Sequence, residues 1–345
     1  MSDNQIGRII DANLDRAGEG LRVLEEVARF VLDNPALSAR FKEMRHQLSL
    51  RDVQTKLAFL SARNASGDVG EAIKSSFQSS PRNLLQIATA NARRAEEALR
   101  VLEEFAPSAN LDSQVYAVAR YQLYTLEKDI LGQLARHNKR YQISGLYAVI
   151  DTTLTCGHNI LDITTQTLSG GAKIIQLRDS ITPKGKLLQL AREMKQLCSC
   201  HNALFVVSGH ADIALATNAD GLHIEQGDIP TAEVRCLAPI DKILGCSVDT
   251  PAEALKAQQD GADYIACDAL FGISTQADTP PEHDTIKSIK KAVQLPLVVG
   301  VNSMQSITDI TKAGADAVAV CMPALSAEKT TRELLETIDA CLKVH

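Results

Sequence analysis

Two different hydrophobic rhythms divide this chain. Between residues 13 and 32 the apolar positions Leu14, Ala17, Leu21, Leu24, Ala28 and Val31 recur at spacings of three and four, while Arg16, Glu19, Arg22 and Glu26 fall on the opposite side. That is the signature of an amphipathic helix. Asp33-Asn34-Pro35 ends it, because the residue before a proline avoids helical backbone angles. From about residue 144 the rhythm changes to short apolar runs at 145–150, 173–177, 203–207, 221–224, 243–246, 264–270, 297–301 and 317–321. Amphipathic stretches such as 183–198, 251–259 and 303–313 separate them. Eight strand–helix alternations in about 200 residues imply a parallel sheet, and eight repeats point to a (β/α)8 TIM barrel. An open doubly wound sheet is the alternative, weakened because no Gly-x-Gly-x-x-Gly follows a strand. The expectation is an α/β chain with a helical domain over 1–140 and a barrel over 144–345.

The helical half contains an internal duplication. Residues 12–26, ANLDRAGEGLRVLEE, align with 90–104, ANARRAEEALRVLEE, at an offset of 78 with 11 of 15 positions identical. A second echo, Arg45-His46-Gln47-Leu48 against Arg120-Tyr121-Gln122-Leu123, follows at an offset of 75. The near-equal offsets indicate one duplicated unit and a pseudo-two-fold helical domain. A core face needs only apolar residues, yet Asn, Arg and Glu recur too. Either they form an ion-pair lattice along the helices, or the Asn and Arg side chains hold an anion such as a phosphate in a shared cleft. Residues 65–70, ASGDVG, read as a flexible loop between the copies.

Composition narrows the function classes. The 345 residues are 45% hydrophobic and 23% charged, with net charge −6. No apolar run approaches the roughly 18 residues of a membrane helix. An acidic chain lacks the basic face that nucleic-acid binding needs. The N-terminal segment resembles neither a secretory signal nor a transit peptide, which together with eight unpaired-looking cysteines implies the cytoplasm. The cysteines all lie beyond residue 150, form no zinc spacing, and read as small buried hydrophobes.

In a TIM barrel the chemistry sits where strands end. Those positions carry Asp151, Gln176-Leu177-Arg178-Asp179, Ser208-Gly209-His210, His223, Glu225, Gln226, Asp228, Ser247, Asp268, Asn302-Ser303 and Cys321-Met322. The set is polar, has no lysine placed for a Schiff base, and suits a phosphate-bearing ligand with a carboxylate-bound Mg²⁺.

Gln176-Leu177-Arg178-Asp179, the run 219–228 (ADGLHIEQGD), Leu244-Gly245-Cys246-Ser247 with Glu253-Ala254, and Gly261-Ala262-Asp263-Tyr264 resemble thiamine-phosphate synthase, in the family's order and at its strands. Residues 11–26 resemble the helical domain fused to some of these synthases, associated with hydroxymethylpyrimidine-phosphate kinase activity. The resemblance implies an enzyme that joins hydroxymethylpyrimidine diphosphate to thiazole phosphate and releases pyrophosphate. Its partners are then small phosphorylated pyrimidines and thiazoles, with neither nucleic acid nor membrane involved and a homo-oligomer left open. It also implies Arg178 as the catalytic cation. Gln176, Leu177, Arg178, Asp179, Ser180, Ser208, Ser247, Ser274, Thr275, Gln276, Gly300, Cys321 and Met322 would contact substrate, and Asp228 would hold Mg²⁺. This chain departs from the family pattern at several of those positions. Ser180 replaces a lysine, Ser208-Gly209 replaces Asn-Asp and so removes the second metal carboxylate, and Gln276 replaces another lysine. Gly300-Val301 replaces Gly-Gly, and Met322, next to Pro323, replaces a serine. These losses fall on diphosphate and Mg²⁺ contacts. They imply, as the alternative, a barrel kept for ligand binding or scaffolding, with any activity in the helical domain.

Overall fold

The computed structural model describes residues 3–49, 53–63, 82–155, 157–267, 283–301 and 303–342. The chain divides into two compact units, Met1–Ala135 and Arg136–His345.

In the first unit the described residues form α1 (Asp3–Phe30), α2 (Pro35–Leu48), α3 (Val53–Ala62), α4 (Leu84–Phe105), a 3₁₀ turn at Ala106–Ala109, and α5 (Ser113–Tyr141), which runs across the division between units. Asn34 caps α2 by accepting from the Leu37 amide, with Pro35 in the first turn. Asn83 and Gln86 close a reciprocal capping box on α4. The duplicated helices α1 and α4 pack together and bury Ala17, Leu21, Leu24 and Ala28 against Ala88, Ala92, Ala95 and Leu99. They approach so closely at Gly20 that a Cβ there would lie 2.7 Å from the Asn91 carbonyl oxygen.

The repeated polar residues form the ion-pair lattice. Glu25, only 5% exposed, bridges Arg22 (3.0 Å) and Arg45 (3.0 Å). In the second copy Glu103 bridges Arg100 (3.1 Å) and Arg120 (2.9 Å). Asn13 and Asn91 each donate to the carbonyl four residues back and accept from Arg16 and Arg94 respectively. The expected loop at 65–70 lies outside the described residues.

In the second unit the described residues form an eight-stranded closed parallel barrel in sequence order. The strands are β1 (Gly145–Asp151), β2 (Ile174–Arg178), β3 (Leu204–Ser208), β4 (Gly221–Ile224), β5 (Ile243–Ser247), β6 (Tyr264–Cys267), β7 (Leu297–Gly300) and β8 (Ala317–Cys321). Helices α6 (Ile160–Ser169), α7 (Lys184–Cys200), α8 (Ala211–Ala216), α9 (Thr231–Leu237), α10 (Pro251–Gln259), α11 (His283–Ala292), α12 (Gln305–Ala313) and α13 (Ala327–Leu342) alternate with them. The strands read as continuous apolar runs because both faces are buried. Residues such as Leu177, Val207, Leu222 and Val299 face the helices. Tyr147, Val149, Ile174, Val206, Tyr264 and Ala319 fill the barrel. The predicted run 264–270 is described as strand only to Cys267. Of the cysteines, Cys198 and Cys267 are buried, but Cys200 and Cys236 are exposed on helices and do not serve as core.

Candidate active site

Side chains alternate across a strand, so one register lines the barrel interior. On β1 it carries Tyr147, Val149 and Asp151, and on β2 Ile174, Gln176 and Arg178. On β3 it carries Leu204, Val206 and Ser208, on β4 Gly221, His223 and then Glu225, and on β5 Ile243, Gly245 and Ser247. The interior is therefore apolar at one end and polar at the C-terminal rim.

At that rim Arg178 projects between two carboxylates. Its Nε lies 3.4 Å from Glu225 Oε1 and 3.9 Å from Asp151 Oδ2. Ser208 Oγ donates to the same Glu225 oxygen at 2.8 Å. The Glu225 amide donates to Asp228 Oδ2 at 2.9 Å, which fixes the loop after β4. The result is one guanidinium set among acidic groups and hydroxyls, a cation that a phosphorylated ligand would share with Glu225 and Asp151.

Below the rim runs a buried polar chain. Tyr147 donates its hydroxyl proton to Gln176 Oε1 at 2.7 Å and lies 2.8 Å from the Tyr264 hydroxyl. His223 Nδ1 is 3.2 Å from Tyr264, and its Nε2 is 3.0 Å from Ser247 Oγ. Burial and then Arg178 push the His223 pKa down to about 3, so the ring is neutral. Burial holds both tyrosines above the ordinary phenol range. Gln176 Nε2 is buried with no hydrogen-bond partner. Gly245 makes room for this chain, since a Cβ there would fall 2.0 Å from Tyr264 Cζ.

Of the sequence-derived site residues, Gln176, Arg178, Ser208 and Ser247 lie on the inward register, with Gly300 and Cys321 at the ends of β7 and β8. Leu177 and Met322 pack instead into the layer between strands and helices. Asp179 turns to its own loop and to Thr152 after β1. Burial would raise its pKa, but the Thr152 and Thr182 hydroxyls and the Ile181 and Thr182 amides hold it below the usual carboxylate range. Ser180 is exposed. Lys184, near the lost lysine position, pairs with Asp212 at 3.1 Å and with His210 at 2.8 Å. Ser274, Thr275 and Gln276, like Asp268 and Asn302, lie outside the described residues. Tyr147 and Tyr264 were not legible as site residues, because a tyrosine inside an apolar run reads as core. The glycine facing Tyr264 was the available signal.

Mg²⁺ keeps several waters and takes one or two carboxylates together with substrate phosphates. At Gly209, the position the family resemblance implies for a second carboxylate, an added Cβ would lie 3.8 Å from Asp228 Oδ2. Among the described residues no three His, Cys, Asp or Glu side chains converge as a metal cage. The donor set fits an ion shared between Asp228 and a bound diphosphate, not one held by protein alone.

These features define a class: a (β/α)8 barrel whose C-terminal mouth gathers an arginine, carboxylates and hydroxyls. Residues 146–323 match the family model described as thiamine monophosphate synthase, and residues 8–129 match the ThiD2 family. A thiamine-phosphate synthase of Thermosynechococcus vestitus is 35% identical over 97% of this chain and 95% of its own length. One from Prochlorococcus marinus subsp. pastoris is 35% identical over 96% of this chain and 94% of its own. Among solved structures, a thiamine phosphate pyrophosphorylase from Pyrococcus furiosus aligns with TM-score 0.53 and 29% identity. It covers 58% of this chain and 98% of that one. The chain belongs to the thiamine-phosphate synthase family, with an N-terminal ThiD2-family region. No described helix is long and apolar enough to cross a membrane.

Proposed function

We propose that the barrel joins hydroxymethylpyrimidine diphosphate to thiazole phosphate, forming thiamine phosphate and pyrophosphate in the cytoplasm. The observation that carries this reading is the inward register that sets Arg178 and Ser247 at the C-terminal rim above buried Gln176, with Asp228 on the loop after β4, in a chain aligned with named synthases almost end to end.

The chemistry is a dissociative substitution. The C–O bond to the diphosphate breaks with its electron pair leaving on oxygen, and the thiazole nitrogen supplies the pair for the new C–N bond. No proton transfer is required, so the protein's task is to place both partners and absorb charge on the leaving group. Gln176 orients the pyrimidine by its amide. Arg178 takes the diphosphate, exchanging part of its pairing with Glu225 for phosphate oxygens. Ser247 contacts the thiazole phosphate. Mg²⁺, held beside Asp228, would supply positive charge to the leaving diphosphate.

A second reading has a specific observation behind it. Arg178 is already matched by Glu225 and Asp151, while Gly209 and Ser180 withhold a carboxylate and a cation. A barrel so equipped could bind ligand without turning it over, leaving pyrimidine-phosphate kinase activity to the helical region. Purified protein given both precursors and Mg²⁺ separates the two. Thiamine phosphate should form above a no-enzyme control, and Arg178→Ala should lower the rate by about 10²–10³. No product, with both precursors still bound in a calorimetric titration, overturns the synthase reading and supports the second.

A further inference from the structure

Positive charge is scarce at the mouth of the barrel. Arg178 is the only lysine or arginine in the eight strands, and the segments between each strand and the helix that follows it contain none. Arg178 lies beside Asp151 and Glu225, and Asp228 is held on the same loop as Glu225. A diphosphate arriving there would meet one strand-end guanidinium set among carboxylates. Like charges repel most where water is scarce, so a polyanion at this mouth needs a further cation. Of the eight barrel helices, only α7 opens on a lysine or arginine, and that residue is Lys184.

Two contacts hold Lys184. Its ammonium donates to His210 Nδ1 at 2.8 Å and pairs with Asp212 Oδ1 at 3.1 Å. An ammonium has donors only, so Nδ1 is the acceptor and the ring carries its proton on Nε2. That Nε2–H donates to the Asp179 carbonyl at 2.9 Å. Asp179 directly follows Arg178, and its own carboxylate is fixed by the Thr152 and Thr182 hydroxyls and the Ile181 and Thr182 amides. His210 directly follows Gly209, where an added Cβ would lie 3.8 Å from Asp228 Oδ2. The neutral imidazole is therefore a strut across the loops after β2 and β3, and it keeps the ammonium beside the part of the rim that carries Arg178 and Asp228. The ring leaves the lysine's charge uncompensated. Asp212 compensates it weakly, because the two side chains are 56% and 62% exposed.

We propose that Lys184 is the second cation of the diphosphate pocket. Without ligand, Asp212 and His210 hold its ammonium at the edge of the mouth. A bound diphosphate draws it from Asp212 onto a phosphate oxygen, by rotation of the lysine stem and with no proton transferred. This deepens the synthase reading and rests on it, because it assigns a residue that meets charge on the leaving pyrophosphate. A monophosphate at Ser247 on β5 lies on another part of the rim and does not use Lys184.

Calorimetric titration of the full-length protein with inorganic pyrophosphate in the presence of Mg²⁺ tests the assignment. Lys184→Ala should weaken pyrophosphate binding by about tenfold, as expected for a hydrogen bond between charged groups. Lys184→Gln keeps the stem and serves if Lys184→Ala does not fold. Asp212→Asn removes the competing carboxylate and should strengthen binding by about threefold, the scale of a surface ion pair. A merely structural pair would not move the two variants in opposite directions. Thiazole phosphate should bind Lys184→Ala and the unaltered protein alike. Pyrophosphate affinity that is unchanged without Lys184 overturns the proposal, as does an Asp212→Asn protein that binds pyrophosphate no more tightly. An equal loss for thiazole phosphate overturns it too, as does an unaltered protein that binds no pyrophosphate. If thiamine phosphate forms and Lys184→Ala changes neither its rate nor pyrophosphate affinity, the synthase reading stands and this proposal falls. If the two variants shift pyrophosphate affinity in opposite directions and no thiamine phosphate forms, Lys184 stands as a diphosphate cation and the synthase reading falls.

Discussion

On the proposed synthase reading, residue 209 is where a second carboxylate would join Asp228 at a metal ion. Gly209 has φ +68°, in the left-handed region that Asp and Asn tolerate better than other residues with a side chain. Its Cβ direction leads to within 3.8 Å of Asp228 Oδ2. Gly209→Asp therefore sets a second carboxylate beside the first at modest backbone cost. Two adjacent carboxylates repel without a cation and cooperate with one. The variant should bind Mg²⁺ at least about tenfold more tightly in a calorimetric titration, where 1.4 kcal/mol is one factor of ten. Its thermal midpoint should fall in a chelator and recover with Mg²⁺. Unchanged Mg²⁺ affinity would mean that the 209 and 228 side chains do not share an ion. Ser180→Lys acts on charge alone and should strengthen diphosphate binding without altering Mg²⁺ affinity.

Among the elements, α1 and α4 with their following helices present the same glutamate in two degrees of burial. Glu25 is 5% exposed and Glu103 is 21% exposed, although each bridges two arginines. A buried charge that loses its ionic partner costs far more than an exposed one. Glu25→Gln should thus destabilise the helical unit by about 1–3 kcal/mol and Glu103→Gln by about 1 kcal/mol or less, read from urea midpoints. Equal losses would show that the lattice is a surface feature in both copies. The duplication, the helix face and the eight strands were legible because periodicity reports burial directly. Glu25 was not: it flanks the apolar face, four residues after Leu21 and three before Ala28, where a charge reads as surface, and only Arg45 from α2 shows that this edge of the helix is covered. The rim residues Arg178, Ser208 and Ser247 were legible as strand ends. Leu177 entered the candidate site as the neighbour of Gln176 and Arg178, though a strand sends neighbouring side chains to opposite faces, and Met322 entered it as the family's serine position. The pairing of Arg178 with Glu225 joins β2 to the loop after β4 and has no local signature.

Over the whole molecule, one buried and one half-buried titrating group give the two units opposite responses to pH. In the barrel, the folded state holds His223 neutral down to about pH 3, while the unfolded chain takes up a proton near 6.5. Between those values the unfolded state binds more protons, so stability falls as the pH drops from about 6.5 towards 3, by a few kcal/mol in order of magnitude. In the helical unit, burial and then Glu127 raise Glu96 to about 7, with Arg93 opposing and Glu97 adding to the rise. There the folded state binds more protons between about 4.5 and 7, so stability falls as the pH rises through that window. His223→Gln should flatten the acid side of the barrel's stability profile. Glu96→Gln, which mimics the protonated acid, should raise the helical unit's unfolding midpoint at pH 8 and leave it unchanged near pH 4.5. Calorimetric scans across pH 4–8 check both. A Glu96→Gln effect that is the same at both ends of the range would mean that the Glu96 and Glu127 carboxylates do not compete for a proton, and that the loss of helical stability on the alkaline side has another origin.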